Sequence, residues 1–181
     1  MGTSLKRASQ ARLVGRAHVY GDHIDTDRII PGKYTKTLDL SHLAEHVLED
    51  LDPDFRQRVQ PGDILVAGAN FGCGSSREQA PLALKAAGVA AVVARSFARI
   101  FYRNAINIGL PAVEIGPHRI RSGHRLEVDL RAGVVRDLTQ GEEYPATPMP
   151  RVMLAILRAG GLVNYLREHR DYRLGDEHGA P

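Results

Sequence analysis

Two serines and an arginine, Ser75, Ser76 and Arg77, close a loop in which Gly72 and Gly74 flank the chain's single cysteine, Cys73. These residue types suit the handling of an anion. Glycine lets a backbone take φ > 0 and approach another group closely. A helix start offers unpaired N–H groups and a positive dipole end. A guanidinium grips a carboxylate with fork geometry. A serine hydroxyl flanked by N–H donors and a cation can serve as a base, because its alkoxide is stabilised there. The spacing is wrong for three better-known sites. No Gly-Lys-Ser/Thr follows as in a phosphate loop, and the dinucleotide pattern G-x-G-x-x-G is absent. The string Gly72–Ser76 also lacks the second glycine of a nucleophile elbow, and no His–Asp pair stands at a spacing diagnostic for either serine. A plain helix cap fits the pattern equally well, with Ser75 and Glu78 forming a capping box.

The elements that must carry this loop follow from apolar periodicity. Ile64–Ala67 and Val89–Ala94 are continuous apolar runs, the mark of buried strands, and Leu13–Tyr20 and Pro111–Ile115 read as two more. The loop therefore leaves a buried strand and enters a helix expected from Ser75 to about Ala87, stopped by Gly88. Leu40, Leu43, Ala44, Val47, Leu48 and Leu51 predict a helix over 40–51. Phe97–Asn104 reads as helical, and Arg125–Asp129 with Val134–Asp137 as a hairpin around Arg131-Ala132-Gly133. Helices are expected over 149–159 and 162–168. One α/β domain with a mixed sheet flanked by helices is the simplest architecture. It should cover residues 13–172, between flexible tails at 1–12 and 173–181.

With 181 residues, the chain is long enough for one sizeable core. Its 43% hydrophobic and 25% charged residues are those of a soluble globular protein. The net charge of +3 is spread along the chain without a basic run. That argues against nucleic acid and suits a small anionic substrate. One cysteine precludes an internal disulfide and cannot hold an iron–sulfur cluster. The polar, basic stretch Met1–Arg12 does not read as a signal peptide and no apolar run reaches membrane-spanning length, so a cytoplasmic protein is expected.

Three segments then carry a family resemblance. Phe71–Pro81 (FGCGSSREQAP) closely resembles the signature of the small subunits of isopropylmalate dehydratase and homoaconitase, and of the swivelling last domain of aconitase. Gly21–Tyr34 (GDHIDTDRIIPGKY) is similar to the family's N-terminal D-x-D-T-D-x-I-I-P motif. Ala94–Pro111 (ARSFARIFYRNAINIGLP) resembles its S-F-A-R-I-F-x-x-N-x-x-N-x-G-L-P stretch. The resemblance implies a swivelling β/β/α domain of the aconitase type. It also implies a hydro-lyase subunit that isomerises 2- and 3-isopropylmalate by dehydration and rehydration in leucine biosynthesis. Such a subunit binds no cofactor itself. It works in a heterodimer or heterotetramer with a large subunit carrying a [4Fe–4S] cluster.

Carried over by position, the resemblance makes Ser75 the base and Arg77 its catalytic partner, with Ser76 helping to hold the substrate. Tyr34, Thr35, Lys36 and Thr37 fall on the family's substrate-reading loop. An apolar loop there suits an isopropyl group, whereas the cation of Lys36 suits an extra carboxylate or a phosphate. Homoaconitate, dimethylmalate and mevalonate 5-phosphate are thus rival substrates, and a non-catalytic RNA-binding or regulatory module is the rival of another class. Asp25, Thr26 and Asp27 read as a supporting loop whose carboxylates accept backbone N–H bonds or orient Arg77, in preference to a metal pair. Gly74 and Arg99 are expected to support the site, Arg99 by lining the cleft.

Overall fold

The computed structural model describes residues 11–170. Four strands run parallel: β1 (Arg12–Val19), β2 (Ile64–Ala67), β3 (Ala91–Ala94) and β4 (Ala112–Glu114). Three antiparallel strands extend the other edge: β5 (Arg125–Asp129), β6 (Val134–Asp137) and β7 (Glu142–Pro145). The order across the sheet is β4-β3-β2-β1-β5-β6-β7. Helices α1 (Thr26–Ile29), α2 (Leu40–Glu45) and α3 (Phe55–Arg58) join β1 to β2. Helix α4 (Gln79–Ala86) joins β2 to β3, and α5 (Arg99–Asn107) joins β3 to β4. Helices α6 (Arg151–Ala159) and α7 (Leu162–His169) follow the sheet.

The alternation of side chains along the parallel strands divides the core in two. Leu65, Ala67, Val92 and Ala94 share an apolar cluster with Leu43, Leu48, Phe55, Leu84 and Phe101 from the crossover segments. Ile64, Val66 and Val93 point the other way and cluster with Leu126, Val128 and Val135 from the antiparallel strands. The antiparallel half therefore lies over one face of the parallel half, with Leu154 and Leu157 of α6 packed beside it, and helices α1–α5 cover the opposite face. This gives the β/β/α layering. Strands buried on both faces explain the unbroken apolar runs read in the sequence.

Four expectations need correction. Helix α4 begins at Gln79, and its N-cap, Glu78, makes no side-chain cap bond, so Ser75 does not cap it. The segment from Gly74 to Arg77 is irregular because Ser75 is tied to α1, as described below. Helix α2 stops at Glu45, well short of residue 51. Leu48 is fully buried at φ 56, and its N–H donates to the Ile29 carbonyl at 2.8 Å, so burial against α1 overrides helical periodicity. The expected hairpin gains a third strand, β7, whose residues alternate between exposed and half-buried and so lack an apolar signal. The tails at 1–12 and 173–181 lie outside the described residues except for Ala11 and Arg12. These two are not tail: the Ala11 carbonyl accepts from the Leu130 N–H at 2.8 Å, and Arg12 pairs with Asp129 at 3.2 Å.

Candidate active site

The loops that leave β1, β2 and β3 at their C-terminal ends meet beyond the edge of the sheet. Parallel pairing continues into them through isolated bridges, Asp25 with Cys73 and Phe71 with Phe97. The Gly72 N–H donates to the Ile24 carbonyl at 2.8 Å, and the Thr26 N–H to the Cys73 carbonyl at 2.9 Å. At Gly72, φ is 80° and an added Cβ would lie 2.2 Å from Phe101 Cγ, so only glycine lets the loop turn over this ring. Phe101 in turn packs edge-on against Phe71 and stacks with Phe97. The aromatic residues of the third motif are thus the floor of the loop.

On this floor the serine segment is pinned from one side. The buried Thr26 hydroxyl donates to the Ser75 carbonyl at 3.0 Å. Ser75 and Ser76 are both exposed. The backbone N–H groups of Ser75, Ser76 and Arg77 donate to no group among the described residues. The segment therefore presents two hydroxyls and a run of N–H donors to whatever lies in front of it. Those donors can stabilise negative charge at a serine oxygen or on a bound carboxylate.

Arg77 is held from below. Its Nη1 donates to Asp27 and, at 3.4 Å, to the Ile30 carbonyl. Gly32 lies under the guanidinium: a Cβ there would stand 3.2 Å from both terminal nitrogens. Only 20% of the arginine side chain is exposed, against 60% for Asp27. One nitrogen is thus spent on orientation, and Nη2 and Nε bond no group among the described residues. Asp25 does different work: its side chain accepts from the Arg28 N–H at 2.9 Å and caps α1.

The structure brings Ser75, Ser76, Arg77, Thr26, Asp27 and Gly74 together. The loop 33–37 reaches the same rim through Thr35, whose carbonyl accepts from the Gln79 side-chain amide at 3.1 Å. Sequence reasoning missed Gln79. The available signal was an amide side chain directly after the serine motif, at a helix start. Thr35 also donates through Oγ1 to the Gly32 carbonyl at 2.8 Å, and Thr37 Oγ1 accepts from the Asp39 N–H at 3.0 Å. Tyr34 stacks on His46 with ring centroids 3.8 Å apart, and Lys36 is exposed. Arg99 is not joined to this group. It lines an apolar cavity of about 560 Å³ with Tyr102, Glu114 and Met153.

A [4Fe–4S] cluster does not fit this chain. Its cysteines number one, Cys73 is half-buried, and such a cluster takes several thiolates.

Comparisons with known proteins show what the chain is similar to. The model of the aconitase C-terminal domain matches residues 23–117. A 3-isopropylmalate dehydratase small subunit 1 from Methanopyrus kandleri is 59% identical over 156 residues, covering 84% of this chain and 91% of its own length. A methanogen homoaconitase small subunit from Methanothermobacter thermautotrophicus is 54% identical over 164 residues, covering 90% and 96%. The crystal structure of 3-isopropylmalate dehydratase from Methanocaldococcus jannaschii matches with a TM-score of 0.84 and 46% identity, over 88% of this chain and 95% of that one.

Proposed function

The chain belongs to the family of 3-isopropylmalate dehydratase small subunits, built on the aconitase C-terminal domain, and from that premise we propose how its own residues serve the reaction. It is a hydro-lyase subunit, and its reaction is the interconversion of 2- and 3-isopropylmalate on the route to leucine. Ser75 takes the proton from the substrate carbon next to a carboxylate. Ser76 and the N–H groups beside it hold the charge that collects on oxygen. Arg77, oriented by Asp27, grips a substrate carboxylate. The observation that carries this reading is the exposed serine segment pinned by Thr26 beside an arginine pinned by Asp27.

A large subunit supplies what this chain lacks. The Lewis acid for the departing hydroxyl belongs to a [4Fe–4S] cluster on that partner, in a heterodimer or heterotetramer, and we assign the pair to the cytoplasm. The test is reconstitution with a cluster-bearing large subunit and assay of isopropylmalate isomerisation. The pair should turn over and this chain alone should not. Ser75→Ala should lower kcat by about 10²-fold or more while assembly persists. An unchanged kcat would remove Ser75 from the role of base.

A second substrate reading rests on Lys36. An exposed cation on the substrate-reading loop suits a second distal carboxylate, and a homoaconitase small subunit is among the close relatives. A substrate panel on the reconstituted pair separates the two.

A further inference from the structure

Beyond the serine rim, a second group of side chains has the composition of a ligand set. His42, Glu45 and His46 each offer one ligand atom, and these atoms lie within 4.8 Å of one another. The geometry points to a site for a divalent transition cation of the Zn²⁺ type, formed by these three residues at the end of α2.

The spacing supports it. Residues three and four apart share a helix face, and two histidines at i and i+4 are a recurring chelate for zinc. His42 and His46 stand in that relation, with ring centroids 4.9 Å apart. His46 is the C-cap of α2, and its N–H still bonds back to the Leu43 carbonyl at 3.3 Å, so the turn is kept. The Glu45 side chain is exposed and can swing to meet a cation held by the two rings. Two imidazoles and one carboxylate leave a fourth tetrahedral position for water, a ligand set that zinc accepts.

A second observation comes from the next shell of contacts. His46 Nδ1 lies 2.7 Å from Glu49 Oε2. A carboxylate there fixes the proton on Nδ1 and leaves Nε2 unprotonated, the form that binds a metal. Glu49 is itself held in place by Lys33, whose Nζ lies 3.6 Å from Glu49 Oε1. Tyr34 lies flat on the His46 ring, at 6°. A cation bound here would therefore also stiffen the loop that carries Tyr34, Thr35 and Lys36.

The test needs no activity. The full chain, free of any histidine tag, is titrated with Zn²⁺ by calorimetry, and hydrogen exchange of residues 32–38 is followed with and without the ion. One Zn²⁺ should bind per chain with micromolar affinity and slow exchange in this loop. His42→Ala should weaken binding about tenfold or more, and the exposed Glu45→Gln should weaken it with the unliganded melting temperature unchanged. Equal affinity in wild type and both variants, or no binding in the wild type, would overturn the assignment. So would binding that leaves exchange of the loop untouched in wild type and in His42→Ala alike.

Discussion

Replacing Asp27 by asparagine removes one charge and almost no volume, and it isolates the orientation of Arg77 from everything else in the site. Asp27 is mostly exposed, and exposed ion pairs contribute under about 1 kcal/mol to stability. The melting temperature should therefore move little. The effect on Arg77 is larger. Without the carboxylate, the restraints left on the guanidinium are the 3.4 Å contact to the Ile30 carbonyl and the floor formed by Gly32. A contact that long is near the limit of a useful hydrogen bond. A drift of about 1 Å in a group that positions substrate costs about 10²-fold in rate. Partial retention through the neutral amide brings the expected loss in kcat/KM to between about 10-fold and 100-fold, or about 1.4–2.7 kcal/mol in transition-state stabilisation.

The assay is steady-state kinetics of the reconstituted pair, followed by absorbance of the unsaturated intermediate, with calorimetric melting of the small subunit beside it. A fall in kcat with a rise in KM, at an unchanged melting temperature, supports orientation. Unchanged kcat/KM would refute the reasoning, because Arg77 would then need no partner. A large fall in melting temperature would refute it differently, since the pair would be structural.

Three further outcomes are expected. Gly72→Ala should destabilise the chain by about 2–5 kcal/mol, the joint cost of a left-handed backbone and a methyl driven into Phe101, as measured by urea unfolding. Asp63 should make stability fall at low pH. Burial raises its carboxyl, but hydrogen bonds from His18 and from the Gln60 and Arg16 N–H groups lower it further, so the net shift is downward. Its stabilising contribution is therefore complete above the unfolded value near ~4 and is lost as pH drops through the lower folded value. The gap in melting temperature between wild type and Asp63→Asn should close over that window. Lys36→Val should shift the kcat/KM ratio toward isopropylmalate and away from a substrate with a second distal carboxylate, measured on a two-substrate panel.

The parallel strands and the serine loop were readable because their signals are local. Ile64–Ala67 is apolar throughout, and Gly72 and Gly74 mark the turn beside it. What failed depends on distant partners. Ser75 looks like a helix cap in sequence, but Thr26, forty-nine positions away, holds its carbonyl and keeps it out of α4. Leu48 sits at helical spacing, yet the Ile29 carbonyl draws its N–H out of the helix. Strand β7 has no apolar alternation because it is an edge strand with half-exposed residues. Arg99 is next to the right motif but lines a different cavity, with Tyr102 and Met153.

The exposure of the serines bears directly on why the chain should need a partner. In water, a hydroxyl next to a guanidinium gains little, because solvent screens both the cation and the N–H dipoles. The same donors act far more strongly once water is excluded. Nothing within residues 11–170 closes over Ser75 and Ser76, which stay exposed while Thr26 and Phe71 behind them are buried. On the mechanism proposed above, the rigid part of the site is built here, and the large subunit is the surface expected to exclude water. A subunit with this design can be fully folded and correctly arranged and still lack a base of useful strength until a second protein covers the rim.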